Sequence, residues 1–127
     1  MDIQSLELDI ACYATAVYHE ANTQSLQEKL GVINVIRNRV KSGRWGRDVC
    51  TVIYADGQFI GVTDKRHQEV DKKAFYETEL LVIDAVILHK YHNPIADALY
   101  FHDDSIKSKT HWFGKRKITK IGRMIFY

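Results

Sequence analysis

One proline, two cysteines and seven glycines are all that this 127-residue chain contains of those three types. So little Pro and Gly excludes a collagen-like or low-complexity chain and leaves an ordinary globular composition. Cys12 and Cys50 form no CxxC unit, and two cysteines cannot make a disulfide framework. Both sit among apolar neighbours, so the sequence predicts buried, reduced thiols. Nothing marks either as an activated nucleophile. No apolar run approaches the ~18 residues of a membrane span. The opening MDIQSLELD lacks the basic start and apolar core of a secretory leader. There are no internal repeats or linkers, and residues 1–127 read as one domain.

Charge of either sign is also scarce in excess: 18 basic against 16 acidic residues gives +2. The distribution is more informative. From Ser105 to Arg123 stand Lys107, Lys109, Lys115, Arg116, Lys117, Lys120 and Arg123, with no acid among them. Such a run is either a solvated edge of the fold or a contact for an anionic surface.

What is present is helical periodicity. Ile10, Ala11, Ala14, Val17 and Tyr18 recur at helical spacing and predict a helix from about Leu6 to Glu20, broken at Asn22. Ser25-Leu26-Gln27-Glu28 is a capping box that opens a second helix. Leu30, Ile33, Ile36 and Val40 form its stripe, and Gly43 ends it. A third helix starts near Asp71, with Phe75, Thr78, Val82, Ala85 and Leu88 or His89 on its buried face. It stops before Pro94, the only proline. Val49 to Tyr54 is apolar but of undetermined type, and Gln58-Phe59-Ile60 reads as a strand. Ala98–Phe101, Ile118–Ile121 and Met124–Tyr127 are short β-like runs. Helices first and strands last predict an α+β fold.

The first helix ends in His19-Glu20-Ala21-Asn22. A carboxyl group at the end of a mostly buried helix is partly desolvated, and desolvation favours the protonated form that a general acid needs. A surface Glu that merely ends a helix is the bland alternative. His19-Glu20 is not the start of a zinc motif, because HExxH requires His where Thr23 stands. The six histidines are otherwise scattered, and no metal or cofactor is expected. Tyr100, Phe101, His102, Trp112, Phe113, Phe126 and Tyr127 make the last third aromatic; such rings suit either a core or stacking on sugars.

Several ordered segments resemble the SleB/CwlJ cell-wall hydrolase family of spore-cortex-lytic enzymes and phage lysins. They are Tyr18-His19-Glu20-Ala21, Gly31 to Val40 with its Asn38-Arg39-Val40 ending, Val49 to Tyr54, Gln58-Phe59, Tyr100-Phe101-His102, Trp112, and the closing Ile121-Gly122 and Phe126-Tyr127. Met124 stands where the family commonly has His. The resemblance implies a compact lysozyme-like domain, with helices in the N-terminal two thirds and a small antiparallel sheet in the C-terminal third. It implies cleavage of peptidoglycan between N-acetylmuramic acid and N-acetylglucosamine by a lytic transglycosylase, with Glu20 as acid and then base. Gln58, Phe59, Tyr100, His102 and Trp112 are the substrate-binding candidates. Asn38 and Arg39 are expected to brace the fold rather than touch substrate.

Three rivals follow from the same residues. They are simple muramidase hydrolysis, a zinc amidase acting on the peptide stems, and a non-enzymatic basic module. The last lacks any nucleic-acid-binding motif, so nucleic acid is not an expected partner. The expectation is a monomer that acts on glycan strands, with the basic segment held to an anionic wall or outer-membrane surface. Without a visible leader, synthesis in the cytoplasm and release as a phage lysin, through a holin or in the virion, is the expected route.

Overall fold

A computed structural model describes residues 2–55, 70–105 and 116–127 of the chain. Its elements run α1 (Ile3–Ala21), α2 (Leu26–Ser42), α3 (Val49–Tyr54), α4 (Lys72–Val82), a π-helical turn (Ile83–Ile87), β1 (Phe101–Asp103), β2 (Thr119–Ile121) and β3 (Met124–Phe126). The α+β expectation holds: helices come first and one small antiparallel sheet closes the chain.

Each helix start is fixed by a side chain that satisfies otherwise orphaned backbone donors. Asp2 accepts from the Ser5 amide at 2.7 Å, Asp48 from Thr51 at 2.9 Å, and Asp71 from Lys73 and Ala74 at 3.0 and 3.2 Å. The capping box before α2 is complete, since Ser25 Oγ accepts from the Glu28 amide and Glu28 accepts from the Ser25 amide. Gly43 ends α2 at φ +74, a left-handed conformation that glycine adopts without strain. The segment Val49–Tyr54, of undetermined type in the sequence, is a short helix capped by Asp48.

α1 packs against α2, α3 and α4. The core between them holds Ala14, Ala16, Val17, Leu30, Ile33, Ile36, Val52, Ile53 and Val82, and Phe126 of the sheet reaches into it. Burial of a side chain of Phe size contributes about 1.5–3 kcal/mol. The expected buried face of α4 is right for Thr78, Val82 and Ala85 and wrong at its end. Leu88 is 54% exposed, and His89 lies in solvent at φ +51. The π turn explains this. Leu88 donates to Ile83 O, a five-residue step that winds later residues off the buried stripe.

The thiol expectation is overturned. Cys12 of α1 and Cys50 of α3 form a disulfide, with Cα atoms 5.3 Å apart. Two helices that the sequence separates by 38 residues are brought within bonding distance by packing, which local pattern cannot report.

The sheet order is β1-β3-β2, all antiparallel, with Phe101 opposite Phe126 and Thr119 opposite Phe126. The expected run Ala98–Phe101 becomes strand only at Phe101. Leu99 and Tyr100 instead both donate to Tyr127 O, at 2.7 and 3.1 Å. Gly122, at φ +57, makes the turn from β2 to β3.

Candidate active site

Glu20 occupies the last turn of α1 and is partly buried. Ala16 and Val17, four and three residues earlier, are fully buried. Residues at those spacings share one helix face, so Glu20 extends an interior stripe to the helix end. Ala21 beside it is 2% exposed. The helix closes with Asn22 donating to Tyr18 O and Gln24 to Ala21 O, and four residues later the capping box begins α2.

Tyr18 and Glu28 help hold this corner. Tyr18 Oη accepts from the Asp71 amide at 2.9 Å, and its ring lies 5.8 Å from that of Phe75, so the end of α1 is tied to the start of α4. Tyr18 also meets His19 edge-on at 5.4 Å. Glu28, 4% exposed, carries out two tasks. It completes the capping box, accepting from Ser25 Oγ at 2.9 Å, and its Oε2 accepts from the Arg123 amide at 3.4 Å. A β-carbon on Gly122 would stand 2.5 Å from Glu28 Oε1, so only glycine lets the hairpin approach this carboxylate. The capping role was legible in the sequence; the burial beneath a hairpin was not.

Asn38 and Arg39 brace the chain that leads into β1, as their motif position suggests. Asn38 Nδ2 donates to Ala96 O and Ala98 O, at 3.0 and 2.9 Å. Arg39, 3% exposed, donates through Nε to Leu99 O at 2.7 Å and stacks over Trp45 and Tyr100, at 4.4 and 5.5 Å. Burial pulls its pKa down to about 10, which the nearby Tyr100 resists, so Arg39 stays charged near neutrality.

Tyr100 is partly buried, edge-on to Trp45 at 5.7 Å. It lines a shallow depression of about 260 Å³ with Arg44, Asp97, Leu99, Arg116, Ile118 and Tyr127. His102 is turned into the protein. It is 7% exposed, with Nδ1 at 2.8 Å from Asp103 O and Nε2 at 2.9 Å from Tyr127 Oη. A carbonyl can only accept, so Nδ1 carries the proton and Nε2 accepts from the tyrosine. The Tyr127 ring stacks on the imidazole at 5.3 Å. Met124 is 4% exposed and faces the core from β3. Gln58, Phe59 and Trp112 lie outside the described residues, as does the strand expected at Gln58-Phe59-Ile60.

The basic segment is less free than its sequence suggests. Lys120 pairs with Asp104 at 3.1 Å, and Arg123 pairs with Asp104 and Asp103 at 3.0 and 3.5 Å. The two acids lie just before the run and fold back onto it. The hydrogen bond from the Ser105 amide, helped by Arg123, holds the Asp103 carboxyl below the ordinary Asp range, and Lys120 and Arg123 do the same for Asp104. Lys107, Lys109 and Lys115 lie outside the described residues, while Arg116 and Lys117 are exposed. Among the described residues no group of His, Cys, Asp or Glu could hold a metal ion, and no helix is long and apolar enough to cross a membrane.

Helices that come first and a small antiparallel sheet that closes the chain define a single α+β class, with Glu20 in the last turn of its first helix. The crystal structure of the catalytic domain of the Bacillus cereus SleB protein superposes on it with a TM-score of 0.75 and 29% identity, covering 94% of this chain and 89% of that one. The catalytic domain of the germination-specific lytic transglycosylase SleB from Bacillus anthracis gives 0.73 and 29%, covering 93% and 92%. Spore cortex-lytic enzymes of Bacillus cereus and Bacillus subtilis are 34% and 31% identical over 123 and 119 residues. Those alignments take in 93% of this chain but only 43% and 37% of those proteins, so the chain spans less than half their length. Residues 23–127 match the family model described as cell wall hydrolase. The chain belongs to that cell wall hydrolase family. Glu20 stands three residues before the family-model match begins.

Proposed function

We propose that this chain cleaves the glycan strand of peptidoglycan between N-acetylmuramic acid and N-acetylglucosamine, as a lytic transglycosylase with Glu20 as its acid and then its base. The observation that carries the reading is the placement of Glu20. It is a carboxyl at the end of an otherwise buried helix stripe, in a family member that superposes on a catalytic domain.

In the first step the Glu20 carboxyl gives its proton to the glycosidic oxygen, and the bond from that oxygen to C1 of the muramyl sugar breaks. The electron pair leaves with the oxygen, and C1 becomes oxocarbenium-like. In the second step the Glu20 carboxylate takes the proton of the sugar's own 6-hydroxyl, and O6 bonds to C1. The product carries a 1,6-anhydro ring, and Glu20 regains its proton. One carboxyl serves both steps, so the paired carboxylates of ordinary glycosidases are not required. In the hydrolytic alternative, water replaces the 6-hydroxyl and a reducing end results.

Tyr100, with the depression beside it, supports a role in holding the sugar chain. His102, whose ring nitrogens are both engaged, is assigned to holding Tyr127 rather than to touching substrate. Within the basic segment, Arg116 and Lys117 are the described cations that support contact with an anionic wall surface. The test is Glu20→Gln on purified cell walls with mass spectrometry of the products. Loss of a positioned acid lowers the rate by roughly 10²–10⁴. Anhydro ends from the wild type support transglycosylation, reducing ends support hydrolysis, and undiminished clearing by Glu20→Gln removes Glu20 from the mechanism.

A further inference from the structure

A second cleft lies along α1 and α2, away from Glu20. It encloses about 520 Å³ and is lined by Tyr13, Asn34, Arg37, Asn38, Val40, Lys41 and Asn93. That size is typical of ligand pockets. Its lining contains two cations and no acid. Arg37 and Lys41 are four residues apart on one face of α2, a like-charge spacing that disfavours the helix. No carboxylate pairs with either among the described residues.

Tyr13 is the second observation. It is 5% exposed, yet its hydroxyl has no hydrogen-bond partner among the described residues. None of their side-chain oxygens is sealed from solvent without a partner, so this hydroxyl opens onto the cleft. Burial pushes its pKa up to about 12, against the pull of Arg37 and with help from Asp9. Tyr13 therefore remains a neutral donor at any ordinary pH. Asn34, 6% exposed, spends its Nδ2 on Leu30 O at 2.8 Å, which leaves its carbonyl as an acceptor. Asn38 and Asn93 are already committed to holding the 93–98 loop.

We propose that this cleft is a binding site for an acidic peptide, with Arg37, Lys41 and Tyr13 receiving its carboxylates and Asn34 accepting from a peptide N–H. A peptide supplies N–H donors for the Asn34 carbonyl alongside its carboxylates, whereas inorganic phosphate offers that acceptor only its own O–H. The identity of the peptide as the stem carried by the glycan rests on the function proposed above. Tyr13 precedes Glu20 by seven residues, two helical turns on the same stripe, or about 10 Å along the axis. An extended peptide spans about 3.3–3.6 Å per residue, so roughly three residues bridge that distance. The site would select strands whose stems are intact.

The test is calorimetric titration of the whole chain with the tripeptide Ala-γ-Glu-Lys, its fully amidated form, and inorganic phosphate. The free-acid peptide should bind, and the amidated form should not. Binding should weaken about tenfold in Arg37→Gln/Lys41→Gln and severalfold in Tyr13→Phe, which preserves packing. Lys41→Gln, at an exposed position, gives a milder variant should the double one unfold. Equal binding by the variants, binding of the amidated peptide, or a preference for phosphate through the same residues would each overturn the proposal. Glu20→Gln should bind the peptide unchanged. If Glu20→Gln still clears walls, the glycan-cleavage reading fails while the peptide site stands; if it is inactive and no peptide binds, only the peptide site fails.

Discussion

Gly31 of α2 lies directly against the ring of Phe126, the side chain by which β3 enters the helical core. A β-carbon at position 31 would overlap Cζ of that ring and stand 2.8 Å from Cε1. Phe126 is fully buried, so its ring has nowhere to move. The small residue in mid-helix is the contact that lets sheet and helices share one core.

Gly31→Ala should therefore destabilise the protein despite the better helix propensity of alanine. The propensity gain is about 1 kcal/mol. Forcing a methyl into a packed core costs about 1–3 kcal/mol. A net loss of about 1 kcal/mol is expected in urea unfolding. Phe126→Leu in the same chain should recover part of the clash, giving a double variant less damaged than the sum of the two. A Gly31→Ala variant more stable than wild type would show that the ring is free to shift.

The Cys12–Cys50 bond predicts a redox-dependent stability. It closes a loop of 38 residues, and restricting that loop in the unfolded chain is worth about 4 kcal/mol. Thermal melts with and without reductant should differ by well over ten degrees on the scale for a domain of this size. Cys12→Ser/Cys50→Ser should melt like the reduced protein and ignore the reductant. Two alkylatable thiols in protein folded under air would contradict the bond.

Tyr13 predicts an alkaline limit. Its pKa is about 12 in the fold against an ordinary value of 10.0. The fold holds this proton more tightly than the unfolded chain does, so unfolding releases it once pH exceeds about 10. The contribution is complete below pH 10 and is lost as pH rises toward 12, on the order of 2 kcal/mol. Urea midpoints measured from pH 9 to 11.5 should fall more steeply for wild type than for Tyr13→Phe. Parallel curves would place the phenol in water.

Local chemistry was readable from the sequence and tertiary coincidence was not. Ser25 with Glu28, Gly43 and Asp71 announced helix ends because capping acts within four residues, and the structure places all three as read. The α+β order followed from periodicity. The disulfide escaped because it depends on how α1 meets α3. Leu88 and His89 escaped because one π turn shifts the helical phase. Of the site, the segment around Glu20 was legible as a helix-end carboxylate and by family resemblance. The inward turn of His102 was not, since it depends on Tyr127, 25 residues away. Nor was the cleft at Tyr13, whose lining comes from α1, α2 and the loop before β1.

The carboxylate of Glu28 joins the first turn of α2 to the β2–β3 hairpin, just past the short link that follows Glu20 and the end of α1. Fraying of α2 would strip an acceptor from the hairpin amide, and peeling of the hairpin would uncover a buried charge. Either local opening thus carries the cost of the other. The corner beside Glu20 is expected to open as one cooperative unit, with the amides of Ser25, Glu28 and Arg123 exchanging together, so the glutamate proposed above as acid and base stands on ground that does not loosen piecemeal.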